Sequence, residues 1–491
     1  MKKFNTKYIL TLVLGVALLT ASCHKELLTP VPQTSISDAS SFSSPTRVKS
    51  QLLSVYGAMK SGNFYGGRFL VNGEVKGDNF INELSNLVTA ADVWNQNPTN
   101  SATAVINLWS QTYFTINAAN LFIDGMATQT AVAATTSNQY IAEARVVRAL
   151  SYLSLLQYYA RPYADGAGSK PGVPLRLKGI KGTGFSDIAR SSVADVYKQI
   201  IADLDYAEAN LPSSYATAAD NTTRAHKNTA IAIKTRVYLN MQDYGKVITE
   251  ANKIVSTTAP FTAATGVAHA LQTDYTKIFV TPYTTTESIL SMPMSATSGD
   301  NPGTQNQLAY YFSPSSANGG VGNAEYSLNA SGIIANTGWK ATDSRRSFIK
   351  VAGTPAKSWL TKYAVASPYT DYVPVIRYAE VLLNLAEARV RSINTVDAQA
   401  VALLSAVRSR SDATTTYTTS NFANPTALMD AIMTERNIEF LGEGLRNNDL
   451  TRLLSTIPAK GSAPAKAAGD VGYIWPISAN ELALNKLMTD N

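Results

Sequence analysis

Residues 227–255 read Lys227-Asn228-Thr229-Ala230-Ile231-Ala232-Ile233-Lys234-Thr235-Arg236-Val237-Tyr238-Leu239-Asn240, then Met241-Gln242-Asp243, then Tyr244-Gly245-Lys246-Val247-Ile248-Thr249-Glu250-Ala251-Asn252-Lys253-Ile254-Val255. Both outer runs predict helices, over 227–240 and 244–255. The connection near Gln242-Asp243 is so short that the second helix must return antiparallel to the first, which makes the segment an αα-hairpin. A second pair follows at 375–391, with Ile376, Ala379, Leu383 and Ala386 on one face, and 397–410.

Other helices flank these pairs. Ser44-Pro45 opens one, with Val48, Leu52, Val55 and Met59 spaced by four, three and four. Trp109, Tyr113, Ile116 and Asn120 share a face of the next. Val146, Leu150 and Leu153 mark a third, over 139–159. Ser192 with Asp195 is an N-terminal capping signal for a fourth, whose stripe is Val196, Ile200, Leu204, Ala207 and Leu211 and which Pro212 ends. Repeated helix pairs of this size look like tetratricopeptide-type units, without a strict period or consensus. The expected fold is mainly α: a tetratricopeptide-like helical-repeat scaffold with a large inserted loop-rich subdomain.

Two regions break the helical pattern. Residues 62–100 are rich in Gly, Asn and aromatics. Residues 257–372 are rich in Thr, Ser, Gly, Asn and Tyr, with strand-like pieces such as Ser288-Ile289-Leu290-Ser291-Met292. A structureless loop of that length is unusual, so it reads as an inserted subdomain, and function tends to sit on such insertions. The expected organisation is a signal peptide at 1–22, a lipidated tether at 23–44 and one domain at 45–491. Within that domain the scaffold covers about 45–256 and 373–491, and the insertion about 257–372.

The N-terminus carries its own signal. Lys2, Lys3 and Lys7 precede an apolar run over 8–21, interrupted by Thr11, Gly15 and Thr20. That length suits a secretory signal better than a membrane span of roughly 20 apolar residues. The run ends in Leu19-Thr20-Ala21-Ser22-Cys23, small residues before a cysteine, as lipoprotein processing requires. A leucine is commonest where Thr20 stands. Cys23 is the expected lipidation site and the lone cysteine of the chain, so no intramolecular disulfide is available and stability must come from a large core. Without the three signal lysines the net charge falls from +7 to +4. No Lys/Arg run makes the concentrated basic face that nucleic-acid binding needs.

Five segments, in order, resemble the SusD/RagB family of outer-membrane nutrient-binding lipoproteins. Glu143-Ala144-Arg145-Val146-Val147-Arg148-Ala149-Leu150-Ser151-Tyr152 is similar to its E-A-R-x-x-R-A-x-x-Y helix. Arg224-Ala225 through Ala232, with Arg236-Val237-Tyr238-Leu239, is similar to the next helical pair. Pro374-Val375-Ile376-Arg377-Tyr378-Ala379-Glu380-Val381-Leu382-Leu383 with Ala386-Glu387-Ala388 resembles its most recognisable signature. Glu435-Arg436, Glu439, Glu443-Gly444, Arg446 and Asp449-Leu450 follow its E-R-x-x-E-x-x-x-E-G-x-R-x-x-D-L. Tyr473-Ile474-Trp475-Pro476-Ile477 is close to its C-terminal W-P-I-P, with Ser478 in place of the last proline. The resemblance implies a helical scaffold with a variable loop region and lipid anchoring at the outer membrane, expected to be surface-exposed. It also implies a partner, a SusC-type TonB-dependent transporter, and capture of oligosaccharides or, in some branches, peptides. It carries over no ligand contact to a numbered position.

Chemistry narrows the reading. Glu435, Arg436, Glu439, Glu443, Arg446, Asp449 and Arg452 invite a glycoside-hydrolase reading, since two carboxylates four residues apart on a helix lie close together. The alternating arginines favour a self-satisfying ion-pair network between packed helices, so no catalytic residue and no enzyme activity is expected. His24, His226 and His269 are scattered and lack metal-ligand spacing. Gly319-Gly320 lacks the strand, lysine and helix of a phosphate loop. Asp300 with Asn301 reads as a solvated loop in preference to a calcium site, so no cofactor or metal is expected. Sugar rings stack on aromatics and use planar polar side chains for their hydroxyls. Candidate ligand residues are therefore Tyr65, Arg68, Asp78, Asn79 and Trp94 in the first irregular region, and Gln305, Asn306, Tyr310, Tyr311 and Trp339 in the second. Tyr310-Tyr311 is favoured, on the argument that adjacent aromatics in such a loop cannot easily both be buried. Trp109, Trp359 and Trp475 are assigned to the scaffold.

Overall fold

The computed structural model describes residues 40–491 apart from 183 and 185. The expected signal peptide, Cys23 and most of the tether lie outside the described residues.

Helix α1 (Pro45–Met59) starts where Ser44 accepts from the Arg47 amide and Pro45 occupies a position whose N–H would have no helical partner. It buries Val48, Leu52, Val55 and Met59. In the first irregular region come α2 (Arg68–Val75), β1 (Phe80–Asn82) and the short α3 (Ala91–Trp94). Then follow α4 (Thr103–Met126), α5 (Ala134–Tyr159), α6 (Val193–Asn210), α7 (Ala218–Thr223) and the hairpin of α8 (Lys227–Asn240) with α9 (Tyr244–Ala251). Ser192 caps α6 and Asp243 caps α9. Gln242 adopts φ +59°, which reverses the chain between the hairpin's two helices.

Next come β2 (Ser288–Met292), α10 (Leu308–Phe312), β3 (Tyr326–Leu328), β4 (Ile349–Ala352), β5 (Lys357–Leu360) and β6 (Val373–Arg377). Helices α11 (Tyr378–Ile393), α12 (Ala398–Ser411), α13 (Pro425–Glu439), α14 (Arg446–Thr451) and α15 (Ala479–Leu484) complete the order. The long helices stack as α4 on α5, α5 on α6, α6 on α8, α8 on α9, α9 on α11, and α11 on α12 and α13. The chain thus leaves the stack at α9 and rejoins it at α11, beside the point of departure.

A strand pair closes that exit. β2 runs antiparallel to β6, with Ser288 opposite Arg377 and Met292 opposite Val373. This corrects the helix expected from Val375. Pro374 cannot donate a backbone hydrogen bond and Val375 and Ile376 are β-branched, so the segment stays extended and the helix begins at Tyr378. A second strand pair joins the two irregular regions, β1 with β3, Phe80 opposite Leu328. The β4–β5 hairpin packs against β3. Residues far apart in sequence therefore form one loop-rich body on the helical stack.

The C-terminal stretch is less helical than expected: beyond α14, α15 is the one regular helix among the described residues. Trp475 is fully buried, its ring centroid 4.5 Å from that of Tyr158 and its backbone N–H bonded to the Tyr158 carbonyl. That contact fastens the C-terminus to α5. Trp109 packs between Tyr113 and Tyr159. Trp359, assigned to the scaffold from sequence, is buried in the β4–β5 hairpin instead. No helix among the described residues is long and apolar enough to cross a membrane.

Candidate ligand-binding face

Arg68, the first residue of α2, ties the two irregular regions together. Its Nε donates to Asn306 Oδ1 at 2.6 Å, its Nη1 to the Val88 carbonyl at 2.7 Å and its Nη2 to the Gln305 carbonyl at 3.1 Å. Asn306 Nδ2 in turn donates to the Pro302 carbonyl, and Tyr311 Oη to the Gln305 carbonyl at 2.8 Å. The approach needs glycine: a Cβ on Gly67 (φ +155°) would meet the Asn306 carbonyl oxygen at 1.8 Å.

The knot supports a short loop after β1. Asn86 Oδ1 accepts from the Val88 amide, and Thr89 Oγ1 donates to Glu325 at 2.6 Å. Glu83 is paired with Lys357 of β5. With its backbone held, this loop exposes Leu84, Leu87 (65 %) and Val88, while Gln305 is exposed across the knot. Scattered exposed leucines are ordinary, but three in five residues beside exposed amides form a patch.

The segment 299–307 borders two further features. The first is a cavity of about 540 Å³ lined by Lys60, Gly62, Arg224, Met292, Asp300 and Pro302. Burial raises the pKa of the Asp300 carboxyl, and hydrogen bonds from Lys60 and Ser295 outweigh it, holding the group below the usual range. The second is a tyrosine shelf that is largely buried, with Tyr283, Tyr310 and Tyr369 all in the core. Tyr283 stacks on Tyr372, with centroids 4.5 Å apart and planes 11° apart, and Tyr310 meets Tyr369 edge to face at 6.0 Å. Gln307 Nε2 donates to the Asp371 carbonyl, joining shelf to knot. Tyr283 (φ +62°) and Tyr369 (φ +59°) are held in the left-handed region, which disfavours an L-residue by about 1–2 kcal/mol. Tyr372 is half-buried.

The residues named from sequence divide accordingly. Arg68, Gln305 and Asn306 meet at the knot, Gln305 facing solvent and Arg68 acting as a buried strut. Tyr310 and Tyr311 are both buried, because 308–312 is a turn of helix with its side chains packed inward, not an open loop; the argument for their exposure fails. Tyr65 is core, packed on Phe64 and Phe69. Trp94 is core, its Nε1 donating to the Phe80 carbonyl at 2.7 Å. Trp339 is buried under the Arg346 guanidinium, 4.5 Å from the ring centroid. Asp78 and Asn79 lie elsewhere, Asp78 on Arg446 and Asn79 buried against Asn437. The expected aromatic lining is thus corrected: the exposed part is aliphatic and amide-rich, with a tyrosine shelf behind it. Tyr283, Tyr369 and the Leu84-to-Val88 loop were missed from sequence. Their signals were the Pro282-Tyr283 and Pro368-Tyr369 dipeptides, and apolar residues interrupting an Asn/Ser loop.

The charged constellation is a buried seam. Arg345 Nη1 bonds Glu435 at 2.6 Å and Glu439 at 2.7 Å, and Arg345 Nη2 bonds Asp343 at 2.6 Å. Arg377 bonds Glu439 at 3.0 Å and Glu443 at 2.8 Å, and it also pairs with Glu287. Arg410 bonds Glu287 and Glu439 at 2.7 Å each, Arg408 pairs with Glu435, and Lys362 bonds Glu443 at 2.9 Å. The cations Arg345, Arg377, Arg408, Arg410 and Lys362 match the anions Glu287, Asp343, Glu435, Glu439 and Glu443 one for one. Burial raises the Glu439 pKa, but Arg410, Arg377 and Arg345 outweigh it and hold it well below the usual carboxylate range. A carboxylate so held has no proton to give as a general acid. His226 and His269, scattered in sequence, stack with centroids 5.2 Å apart, and burial lowers them to about 3 and about 4.

Stacked helix pairs carrying an open face built from two distant loop regions define a helical-repeat binding scaffold. Residues 31–239 match a family described as starch-binding associating with outer membrane, and residues 235–456 match the SusD family. A SusD superfamily protein of known structure from Bacteroides fragilis is 31 % identical, with 91 % of this chain and 100 % of that chain covered and a TM-score of 0.81. The chain belongs to the SusD/RagB family. At the level of fold it is also similar to a SusD superfamily protein from Bacteroides thetaiotaomicron (21 % identity, 91 % and 99 % covered, TM-score 0.80). A laminarin-binding SusD-like protein is similar in the same sense (21 % identity, 92 % and 99 % covered, TM-score 0.71). A curated SusD-like protein of Formosa agariphila is 26 % identical over 259 residues, 52 % of this chain and 46 % of that protein. The chain thus spans about half the length of that curated relative.

Proposed function

We propose that the protein is a cell-surface, glycan-binding lipoprotein, lipidated at Cys23, that captures oligosaccharide and passes it to a SusC-type TonB-dependent outer-membrane transporter. The observation that carries this reading is the loop face of a SusD/RagB-family chain: exposed apolar side chains at Leu84, Leu87 and Val88 beside the exposed Gln305 amide, fixed by the Arg68 knot. Sugars present C–H faces and hydroxyls together, and such a mixed surface suits both. Of the carboxylates bordering the face, Asp300 and Glu83 are each paired with a lysine, and Glu325 accepts from Thr89 and Asn323. The acids that resemble a hydrolase pair are neutralised inside the seam, which supports binding without turnover. The lipoprotein-type N-terminus and the outer-membrane description of the matched family support the location and the transporter partner.

Affinity gel electrophoresis of the mature protein against plant, fungal and bacterial polysaccharides tests the reading, with each glycan sized afterwards. Retardation by a glycan that keeps its length is the expected result. Shortening of the glycan contradicts it, and no retardation by any glycan turns the ligand towards peptides.

A further inference from the structure

A second polar cleft, of about 540 Å³, has none of the loop-face residues Leu84, Leu87, Val88 and Gln305 in its lining. One wall is the α13 stripe of Asp430, Met433, Thr434 and Asn437, whose spacing puts them on one helix face. The other wall is the turn from Ser331 to Asn336, and the floor is the pair of Arg446 with Asp78. Arg446 Nε donates to Asp78 Oδ1 at 2.6 Å and Nη2 to Oδ2 at 2.8 Å. Gly77 makes room for it, since a Cβ there would meet Arg446 Cγ at 2.6 Å. Buried Asn79 braces both walls, donating to Asn437 Oδ1 at 2.6 Å and accepting from the Ile333 amide at 3.2 Å. The cleft is therefore shaped before any ligand arrives.

Its remaining hydrogen-bonding capacity is open. Arg446 Nη1, Asn437 Nδ2, the Thr434 and Ser331 hydroxyls and the Asp430 carboxylate make no hydrogen bond among the described residues. The cleft thus offers both donors and acceptors, which suits a ligand whose every hydroxyl both donates and accepts. Met433 and Ala335 add apolar surface for a C–H face. Asp78 cancels Arg446, so Asp430 leaves the cleft one negative charge, which disfavours sulfated or uronic sugars. We infer that this cleft is a second carbohydrate subsite, selective for neutral sugars, shared by no residue of the loop face. The inference rests on the glycan-binding reading above.

Met433 makes the cleft observable: its side chain lines the cleft, part-buried with Sδ 3.9 Å from Arg452 Nη2, and a covered methionine oxidises more slowly. The mature protein is exposed to dilute peroxide with and without saturating maltohexaose or laminarihexaose, and sulfoxide is quantified at Met433 and at the neighbouring Met429. Either neutral probe is expected to slow Met433 oxidation roughly threefold or more, leaving Met429 unchanged. A trigalacturonate probe leaves both unchanged. Thr434→Arg abolishes the protection and the exposed Asn336→Ala reduces it, while gel retardation through the loop face persists. Equal Met433 rates in the presence of a glycan that does retard the protein overturn the cleft alone. Equal protection by trigalacturonate also overturns it. If no glycan retards the protein, the glycan-binding reading and the cleft fall together.

Discussion

The seam between α12, α13 and the loop-rich body, and the face around Gln305, are both rich in polar side chains, yet they are built for opposite ends. In the seam every charge has a buried partner: Glu439 alone answers three arginines, and Arg377 answers three glutamates. On the face the charges are few and paired at the edge, while Leu84, Leu87, Val88 and Gln305 are left to solvent. A group that has spent its hydrogen bonds internally cannot offer them to a ligand. The residues that look most like chemistry in the sequence are therefore the ones least able to perform it, and the plain loop residues are the available ones.

The comparison can be broken most forcefully at Glu439. Removing one partner of a buried charge network costs about 3–5 kcal/mol, so Glu439→Gln should lower stability by that amount in chemical denaturation. A folded Glu439→Gln variant should still bind glycan. Acid gives the next largest effect. His226 and His269 are buried neutral, at about 3 and about 4, against roughly 6.5 in an unfolded chain. Their folded pKa values are lowered, so the unfolded state takes up protons first as pH falls below about 6.5 and stability drops from there until about pH 3–4. The slope approaches 1.4 kcal/mol per pH unit for each histidine, or about 2 kcal/mol each at pH 5. Denaturation midpoints of His269→Phe should show a shallower acid slope than the wild type between pH 6 and 4.5, where Glu74, raised by burial to about 7, acts in the opposite sense.

At the face the effects shift from stability to affinity. Arg68→Ala removes the strut and leaves the Val88 carbonyl and Asn306 Oδ1 without their donor, costing about 1–3 kcal/mol. Titration calorimetry should show about tenfold weaker glycan binding, as the two loops lose their register. The smallest structural effect is Leu87→Ser, within about 0.5 kcal/mol of wild type as for an ordinary surface change. Its affinity should still fall several-fold. A Leu87→Ser variant with unchanged affinity would remove the patch from the binding face.

The sequence carried the helices because their signals are local. Ser44, Ser192 and Asp243 each cap a helix where the pattern changes, and 227–240 with 244–251 kept the hairpin that the spacing demanded. What it could not carry was pairing at a distance. Residues 373–377 become a strand because 288–292 lie beside them, and no feature of Val375 alone announces that. The same limit applies at the site. Arg68 and Asn306 are 238 positions apart, and only the fold shows that one clasps the other. The burial of Tyr310 and Tyr311 likewise depends on Tyr326 and Tyr369, contributed from elsewhere in the loop-rich body. Local chemistry proposed the candidates; long-range packing buried most of them and left Leu84, Leu87 and Val88 exposed in their place.

The most direct test is affinity gel electrophoresis of three proteins on one retarding glycan: wild type, Leu87→Ser with Gln305→Ala, and Glu439→Gln under conditions where circular dichroism shows it folded. The expected result is retardation of the wild type and Glu439→Gln, loss of most retardation in the double variant, and glycan of unchanged length throughout. Full retardation of the double variant, or glycan shortened by the wild type but not by Glu439→Gln, contradicts the account.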